Sequence, residues 1–445
     1  MLKYIKLKNF KYFPKLNNNK IIKFLQNNLN FTYLNENKII NMINSGEILQ
    51  RNLEKDLYGY SCIHDIVKIR QLYFKSKIKS NINYQIPFDN FDTNLFYNKI
   101  LNKNCENVIG YIPIPVGCVG PLKVNNTEYY IPLATTEGAL VASTNRGCKA
   151  ITESNGANSY VLDDGMTRSP LVTLPTLKEL INLKEWIKDN FDILKKSFES
   201  TTKYGKLISI EPKIFGLNMY IRFKSTTGDA MGMNIISKGT SKCLDEIKEY
   251  YPNMSILSLS GNTCIDKKPS AMNWINGRGK YVIAEVILSK QVVNNILKSD
   301  IDSLVELNNK KNLIGSSVAG SIGGFNAHAS NIITSTFIAT GQDVAQNVES
   351  SNCMTLFEKI DDNNLHVSVT LPCLEVGTIG GGTGLPAQSA CLNMLGIDRK
   401  NNNVDGENSI LLAEVIASTV LAGEISLMSA LSTNNLIDAH MKLNR

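Results

Sequence analysis

The order of periodic segments between residues 170 and 258 constrains the fold more than any other feature of this sequence. A β-rich run precedes a long helical pattern, two strand-like runs follow, and a second helix leads into a last strand. The order β-α-β-β-α-β is that of the split βαβ, or ferredoxin-like, unit. The segments are, in order, Leu171–Leu174, Leu177–Phe198, Leu207–Ile214, Met219–Phe223, Ile235–Tyr250 and Ser255–Ser258.

The segments on either side, residues 106–169 and 259–445, are rich in glycine and alanine, as in Gly320–Gly324 and Gly380–Gly384. Small residues let helices and backbones approach closely. We therefore predict that both segments form one large domain, into which the 170–258 unit is inserted. A helical pattern that opens at Ile39 predicts a small helical domain over residues 36–105. The fold class is α+β.

The charge of the chain is concentrated in its first 35 residues. The chain carries 47 basic and 40 acidic residues, and residues 1–35 hold seven lysines and no acid, which leaves a balanced remainder. This balance argues against nucleic-acid binding. The basic extension is typical of a mitochondrial transit peptide in lacking acids, or of a tail from a compositionally biased genome, so the cytoplasm and the mitochondrion both stay open.

Two further patterns exclude whole classes of protein. The most apolar stretch, Leu411–Leu431, is interrupted by Glu414 and Glu424, which favours a helix buried in protein and no membrane span. Nine scattered cysteines without a Cys-x-x-Cys pair argue against a disulfide framework and against a zinc site, so we expect no metal and a reducing compartment.

A series of short motifs gives the chain a family resemblance. In order and at matching spacing, these motifs resemble the signatures of hydroxymethylglutaryl-CoA (HMG-CoA) reductase, class I type. They are Glu106-Asn-Val-Ile-Gly-Tyr-Ile-Pro-Ile-Pro-Val-Gly117, Ala134-Thr-Thr-Glu-Gly138, Ser143-Thr-Asn-Arg-Gly147, Gly165-Met-Thr-Arg168, Gly228-Asp-Ala-Met-Gly-Met-Asn234, Asp266-Lys-Lys-Pro269, Gly341-Gln-Asp343 and Gly380-Gly-Gly-Thr383.

The resemblance implies a helical N-terminal domain, a large substrate-binding domain around a central helix, and a small inserted NADP-binding domain. It also implies an obligate homodimer, or a homotetramer, with active sites at the subunit interface. The activity that it implies is NADPH-dependent reduction of HMG-CoA to mevalonate and CoA, in two hydride steps.

The resemblance assigns catalytic roles to Glu137, Lys267, Asp343 and His440. Lys267 matches the cation that stabilises the oxyanion formed by hydride attack. Glu137 matches the acid that protonates the aldehyde oxygen, and we expect burial or the neighbouring carboxylate of Asp343 to keep it protonated. His440 resembles the late histidine that protonates the departing thiolate, although a histidine so near a terminus is usually a bystander.

The resemblance also assigns binding residues. The residues expected to hold the substrate are Ser143, Arg146, Ser260, Lys268, Lys311, His328 and Asn331. Because no Gly-x-Gly-x-x-Gly follows a strand at the start of a βαβ unit, the usual dinucleotide fingerprint is absent. The residues expected to hold NADPH are Arg168, Lys203, Asp229, Met231, Gly232, Met233, Asn234, Gly380, Gly381, Gly382 and Thr383.

Two alternatives stand beside the biosynthetic reductase. One is a degradative, NAD-dependent enzyme that runs in the reverse direction; the Glu-Asn-Val-Ile-Gly-Tyr and Asp-Lys-Lys-Pro motifs favour the biosynthetic type. The other is an inactive, CoA-binding relative, against which the intact catalytic set argues.

Overall fold

A computed structural model describes residues 36–49, 112–398 and 406–433, together with residues 53, 69, 72, 73, 75–77 and 104. The chain divides into two compact units, Met1–Lys77 and Ile78–Arg445. In the first unit, helix α1 (Glu36–Asn44) buries Ile39, Ile40 and Ile43, which confirms the predicted start of a helical segment. The rest of the predicted helical domain lies largely outside the described residues.

The second unit alternates strands and helices along most of its length. Its strands are β1 (Val116–Val124), β2 (Thr127–Ala134), β3 (Asn158–Arg168), β4 (Leu171–Thr173), β5 (Leu207–Phe215), β6 (Asn218–Ser225), β7 (Ser255–Ser258), β8 (Gly279–Ser289), β9 (Gly324–Phe325), β10 (Cys353–Lys359) and β11 (Asn364–Leu374). Its α-helices are α2 (Leu140–Glu153), α3 (Leu177–Asp189), α4 (Phe191–Glu199), α5 (Met233–Tyr250), α6 (Ala271–Asn276), α7 (Lys290–Val292), α8 (Ile301–Leu307), α9 (Ser316–Val318), α10 (Ala329–Thr340), α11 (Asn347–Ser350), α12 (Pro386–Met394) and α13 (Glu407–Ser432).

Strands β4 to β7 and helices α3 to α5 follow the predicted β-α-β-β-α-β order. Their strands lie in the order β7-β4-β6-β5, and each neighbouring pair is antiparallel. This is the strand order of a ferredoxin-like sheet. The helical pattern over Leu177–Phe198 is two helices rather than one, because Asn190 ends α3 and its side chain donates to the carbonyl of Trp186 (2.9 Å).

Strand β3 joins this small sheet to the large one. Residues Asn158–Gly165 pair with β8, whereas Met166–Arg168 pair with β6. Among its described residues, the second unit has two large, separate hydrophobic cores. The larger core contains α10 and α13, and the smaller contains Phe198, Phe223 and Ile247. Two cores agree with a small inserted unit, although the domain boundaries stay a prediction.

The central helix α13 organises the larger core. Among the described residues it is the one helix long and apolar enough to cross a membrane, and 78% of its most apolar stretch is buried inside the protein. It crosses α2 where Gly147 lies against Ala422, so closely that a Cβ at Gly147 would overlap the backbone of Ala422. The buried helix expected at Leu411–Leu431 is confirmed.

Candidate active site

Lys267 and Asp343 form the ion pair at the centre of the candidate site. Lys267 lies in the loop between β7 and α6, and its Nζ is 2.8 Å from Oδ2 of Asp343. Asp343 follows α10 and caps the short helix Val344–Gln346, where its Oδ1 accepts a hydrogen bond from the amide of Ala345 (3.2 Å). Both side chains are about two-fifths exposed, so the pair can be reached from solvent.

The electrostatics of this pair keep Lys267 charged. The hydrogen bond to Asp343 raises the pKa of Lys267, and the charges of Asp343 and Asp266 add to this effect. A protonated ammonium is the form that can stabilise an oxyanion. The arrangement therefore matches the role predicted for Lys267.

A buried charge cluster lies behind the pair, and sequence reasoning missed most of it. Arg278 donates to Glu349 (2.8 Å) and to Glu375, and lies 3.2 Å from Asp266. The oxygens of these three carboxylates lie within 4.8 Å of one another, a spacing that would suit a metal ion. Here the guanidinium of Arg278 supplies the positive charge among them.

Two of the acids around this arginine, Glu375 and Asp266, have opposite pKa shifts. Burial raises the pKa of Glu375 well above its usual range, and a hydrogen bond with Glu349 adds to the rise. Burial also acts to raise the pKa of Asp266, but the hydrogen bond from Gln346 and the charge of Arg278 outweigh it, and the pKa falls. A lone acid within an apolar run, as in Leu371-Pro-Cys-Leu-Glu375-Val, is the sequence signal that could have revealed the cluster.

Glu137 contacts Asn331. It is exposed in the loop between β2 and α2, and its Oε1 accepts a hydrogen bond from Nδ2 of Asn331 (3.3 Å). Asn331 is in the first turn of α10, whereas Asp343 follows the last turn, and the helix is about 18 Å long. Among the contacts of the described residues, none joins Glu137 to Asp343. The expected burial of Glu137 is not found within this chain.

Arg146 and Ser143 both contact the central helix. The hydroxyls of Ser143 and Ser426 are 2.9 Å apart, and Arg146 donates from Nε to the same hydroxyl (3.0 Å). Burial lowers the pKa of Arg146. Ser426 was missed from the sequence because it is one of several serines in an apolar helix.

His328 is fixed by a buried acid of the central helix. The amides of Ala327 and His328 donate to the carboxylate of Glu424, at 2.7 and 2.8 Å. Nε2 of His328 is buried and has no hydrogen-bond partner in the part of the chain that the structure describes. The ring therefore offers an unused polar atom beside the loop expected to line the substrate pocket.

Each of the remaining substrate candidates has a local hydrogen-bond partner. Lys268 donates to the carbonyl of Asp266 (3.1 Å), beside the catalytic pair. Lys311 lies in a π-helical stretch, Asn308–Gly315, and donates to Oδ1 of Asn312 (3.1 Å). The hydroxyl of Ser260 is 3.6 Å from Sγ of Cys264.

Two loops are expected to hold the cofactor, Gly228–Asn234 and Gly380–Thr383, and the residues just before the second loop lie against the first. The amide of Thr378 donates to the carbonyl of Asp229 (2.7 Å), and Ala230 forms a bridge with Ile379. A Cβ at Gly377 would overlap the backbone nitrogen of Met231. The second loop also reaches the catalytic turn, because a Cβ at Gly341 would be 2.5 Å from the backbone of Gly382.

The individual side chains predicted to contact NADPH have different surroundings. Asp229 is buried, and its carboxylate accepts hydrogen bonds from the amide of Ser409 (2.9 Å) and from Asn408 (3.2 Å) at the start of α13. Arg168 donates to Ser237 of α5 (2.9 Å), and Lys203 is exposed. His440 and the motif residues Glu106 to Tyr111 lie outside the described residues.

Comparison with known proteins points to one family. A family model described as hydroxymethylglutaryl-coenzyme A reductase matches residues 66–445. The 3-hydroxy-3-methylglutaryl-coenzyme A reductase 2 of Dictyostelium discoideum is 55% identical over 374 residues, which are 82% of this chain and 70% of that protein. The reductase 2 of Gossypium hirsutum is 54% identical over 363 residues, which are 81% of this chain and 57% of that protein.

A solved structure shares the fold. The class II 3-hydroxy-3-methylglutaryl-CoA reductase of Streptococcus pneumoniae, determined bound to NADPH in open conformations, aligns with a TM-score of 0.58 and 21% identity. The alignment covers 74% of this chain and 87% of that one. Because a family model matches most of the chain and relatives exceed half identity, the chain belongs to the hydroxymethylglutaryl-coenzyme A reductase family.

Proposed function

We propose that this chain catalyses the NADPH-dependent reduction of HMG-CoA to mevalonate and CoA, which supplies isoprenoid precursors. The observation that carries the proposal is the Lys267–Asp343 pair beside the glycine-rich loop Gly380–Thr383. A fixed, solvent-accessible cation suits an oxyanion, and a glycine-rich backbone next to it suits a flat ring that must approach closely.

The glycine backbone of this loop borders open space. Gly380 and Gly381 have positive φ angles of 87° and 51°, and a Cβ on either would meet no atom within 4 Å. Bound NADPH would supply the hydride. The residues that we expect to hold it are Arg168, Lys203, Asp229, Met231, Gly232, Met233, Asn234 and Gly380 to Thr383.

The proposed roles of the catalytic residues follow the charge that develops on the substrate. Lys267 stabilises the oxyanion formed on the thioester carbonyl, and Asp343 holds the Lys267 ammonium in place. Glu137 delivers a proton to the aldehyde oxygen. His440 protonates the departing CoA thiolate, for which an imidazole that titrates near neutrality is suited.

The substrate group has an acidic end that needs cations and hydrogen-bond donors. We infer that Arg146, Lys268, Lys311, Ser260 and Asn331 hold the hydroxymethylglutaryl group. We expect Ser143 on the CoA side and His328, whose buried Nε2 has no partner among the described residues, in the lining of the substrate pocket.

We infer that the active unit is a homodimer or a homotetramer. The support is that Glu137 is exposed, and that Asn331 and Asp343 lie at opposite ends of α10. A second subunit could bury Glu137 and complete the site. Size-exclusion chromatography with light scattering decides between the two oligomers.

One assay tests the proposal. Purified chain is mixed with HMG-CoA and either NADPH or NADH, and absorbance of the reduced cofactor is followed. We expect oxidation of NADPH and little oxidation of NADH. Lys267→Ala should slow oxidation of NADPH by about 10² to 10³, the usual worth of an oxyanion stabiliser. Preference for NADH would favour the reverse-direction enzyme, and no turnover with either would favour an inactive CoA-binding relative.

Residues 1–35 carry a separate proposal about compartment. Their seven lysines and missing acids favour either import into the mitochondrion or a cytoplasmic tail without a role in catalysis. Fusing these residues to a fluorescent reporter decides between the two.

A further inference from the structure

The loop that carries Lys267 has an unusual backbone. Lys267 has a φ of 61°, Ile265 a φ of 44° and Asn262 a φ of 64°. A positive φ is unfavourable for any residue with a Cβ and rarest for a β-branched one such as Ile265. Such a loop keeps its conformation only if its surroundings hold it.

Three side chains hold the three residues that precede Lys267. Thr167 donates to the carbonyl of Cys264 (3.4 Å), and Asn273 donates to the carbonyl of Ile265 (2.8 Å). Gln346 donates from Nε2 to Oδ1 of Asp266 (2.9 Å). The loop is therefore held through two backbone carbonyls and through the carboxylate of Asp266, the residue before Lys267.

These three donors are linked by the buried cluster. Arg278 donates from Nε to Thr167 (3.1 Å) and from a terminal nitrogen to Glu349 (2.8 Å). Glu349 in turn accepts a hydrogen bond from Asn273 (2.9 Å). Gln346 is the last residue of the short helix that Asp343 caps, so its bond to Asp266 ties the Lys267 loop to the Asp343 turn.

We propose that Gln346 is a positioning residue for the catalytic pair: its bond to Asp266 sets Lys267 against Asp343, and the Arg278–Glu349 network holds the loop behind it. This inference rests on the proposed reductase function. Gln346 does not touch the substrate in this account, and it acts through Asp266.

Gln346 offers a clean test because it is fully buried and its Oε1 has no hydrogen-bond partner among the described residues. Gln346→Met keeps nearly the same shape and removes only the bond to Asp266. Gln346→Glu retains a donor when its carboxyl is protonated and repels Asp266 when it is ionised. Asn347→Leu is the matched control, since Asn347 lies in the next position and donates to Ser330 (2.9 Å) rather than to Asp266.

Two readouts are measured on the full-length chain. The first is kcat and KM for HMG-CoA: we expect Gln346→Met to lose about tenfold in kcat, as for a hydrogen bond to a charged group, with little change in KM. The second is acylation of Lys267 by acetic anhydride at a series of pH values, quantified by mass spectrometry with exposed Lys178 as the reference. Loosening the contact with Asp343 lowers the pKa of Lys267, so its acylation should begin at lower pH.

Gln346→Glu should recover kcat as the pH is lowered, and Asn347→Leu should behave as wild type in both readouts. If Gln346→Met fails to fold, the same comparison is made on Gln346→Glu between acidic and neutral pH. The proposal is overturned if kcat and the Lys267 acylation profile match wild type, or if Asn347→Leu shows the same losses. If the wild-type chain has no reductase activity, the proposed function fails, while the acylation comparison still decides whether Gln346 positions Lys267.

Discussion

Nζ of Lys267 lies 2.8 Å from Oδ2 of Asp343, across two loops that are 76 residues apart in the sequence. Neither loop has a regular structure that would fix its side chains by itself. The loop of Lys267 is held by the hydrogen bond from Gln346 to Asp266. The turn of Asp343 is held by the hydrogen bond that Asp343 accepts from the amide of Ala345. The ion pair thus depends on tertiary packing rather than on a local motif.

Replacing Asp343 by Asn should lower the pH above which kcat declines. The hydrogen bond to Asp343 raises the pKa of Lys267, so Lys267 keeps its proton to higher pH in the wild type than an ordinary lysine would. In Asp343→Asn the pKa falls, and kcat should begin to decline at a lower pH. The measurement is the pH profile of kcat, with Asp302→Asn, an exposed partner of Lys359, as the control. An unchanged alkaline limb would mean that Lys267 is not the group that titrates.

Glu137→Gln should lose the aldehyde step, because an amide cannot deliver a proton. We expect reduction of free mevaldehyde to fall by about 10² to 10⁴. Glu153→Gln, at an exposed pair with Lys149 on the adjoining helix, is the control and should keep its rate. Wild-type reduction of mevaldehyde by Glu137→Gln would remove Glu137 from this role.

Gly377→Ala should weaken cofactor binding. Its Cβ would overlap the backbone nitrogen of Met231, so one of the two cofactor loops must move. We expect KM for NADPH to rise about tenfold, the equivalent of about 1.4 kcal/mol. Gly315→Ala is the control, since the nearest atom to its Cβ is 3.4 Å away. If both variants keep the same KM for NADPH, contact between these loops does not shape the cofactor site.

Glu375→Gln tests the protonation of the buried cluster. Because burial raises the pKa of Glu375 above its ordinary value of 4.5, folding takes up a proton, and the stability of the wild type falls as pH rises above that value. Glutamine cannot ionise, so the variant should lack this loss of stability. The thermal midpoint of the variant minus that of the wild type should therefore rise between about pH 4 and about pH 8. The exposed Glu306→Gln should show no such trend. A constant difference at every pH would mean that Glu375 is ionised in the folded protein.

Local sequence periodicity predicted the small unit well. The strands and helices from Leu171 to Ser258 have the expected order, because each segment carries its own apolar period and turn residues. The break at Asn190 was missed because the apolar spacing continues across it. Helix α13 was also predicted, because two acids interrupt its apolar stretch and favour a helix buried in protein over a membrane span. In the structure one of them, Glu424, accepts a hydrogen bond from Thr355 (2.8 Å).

The site was predictable only where a motif carries it. Lys267 and Asp343 were assigned by resemblance, and the structure brings them together. The contacts of Gln346, Arg278 and Glu349 join segments distant in sequence, so no periodicity could reveal them. Glu137 contacts Asn331 at the start of α10, and its predicted place beside Asp343 stays a prediction.

The most direct test of the proposed two-step reduction is the ratio of NADPH oxidised to CoA released. Reduction of a thioester to an alcohol requires two hydrides for each thiol that leaves. NADPH is followed by absorbance and free CoA thiol by a colorimetric thiol reagent in the same reaction with HMG-CoA. The two-step reduction predicts two NADPH oxidised for each CoA, with mevalonate as the product. A ratio of one, with aldehyde accumulating, or release of CoA without oxidation of NADPH, would contradict it.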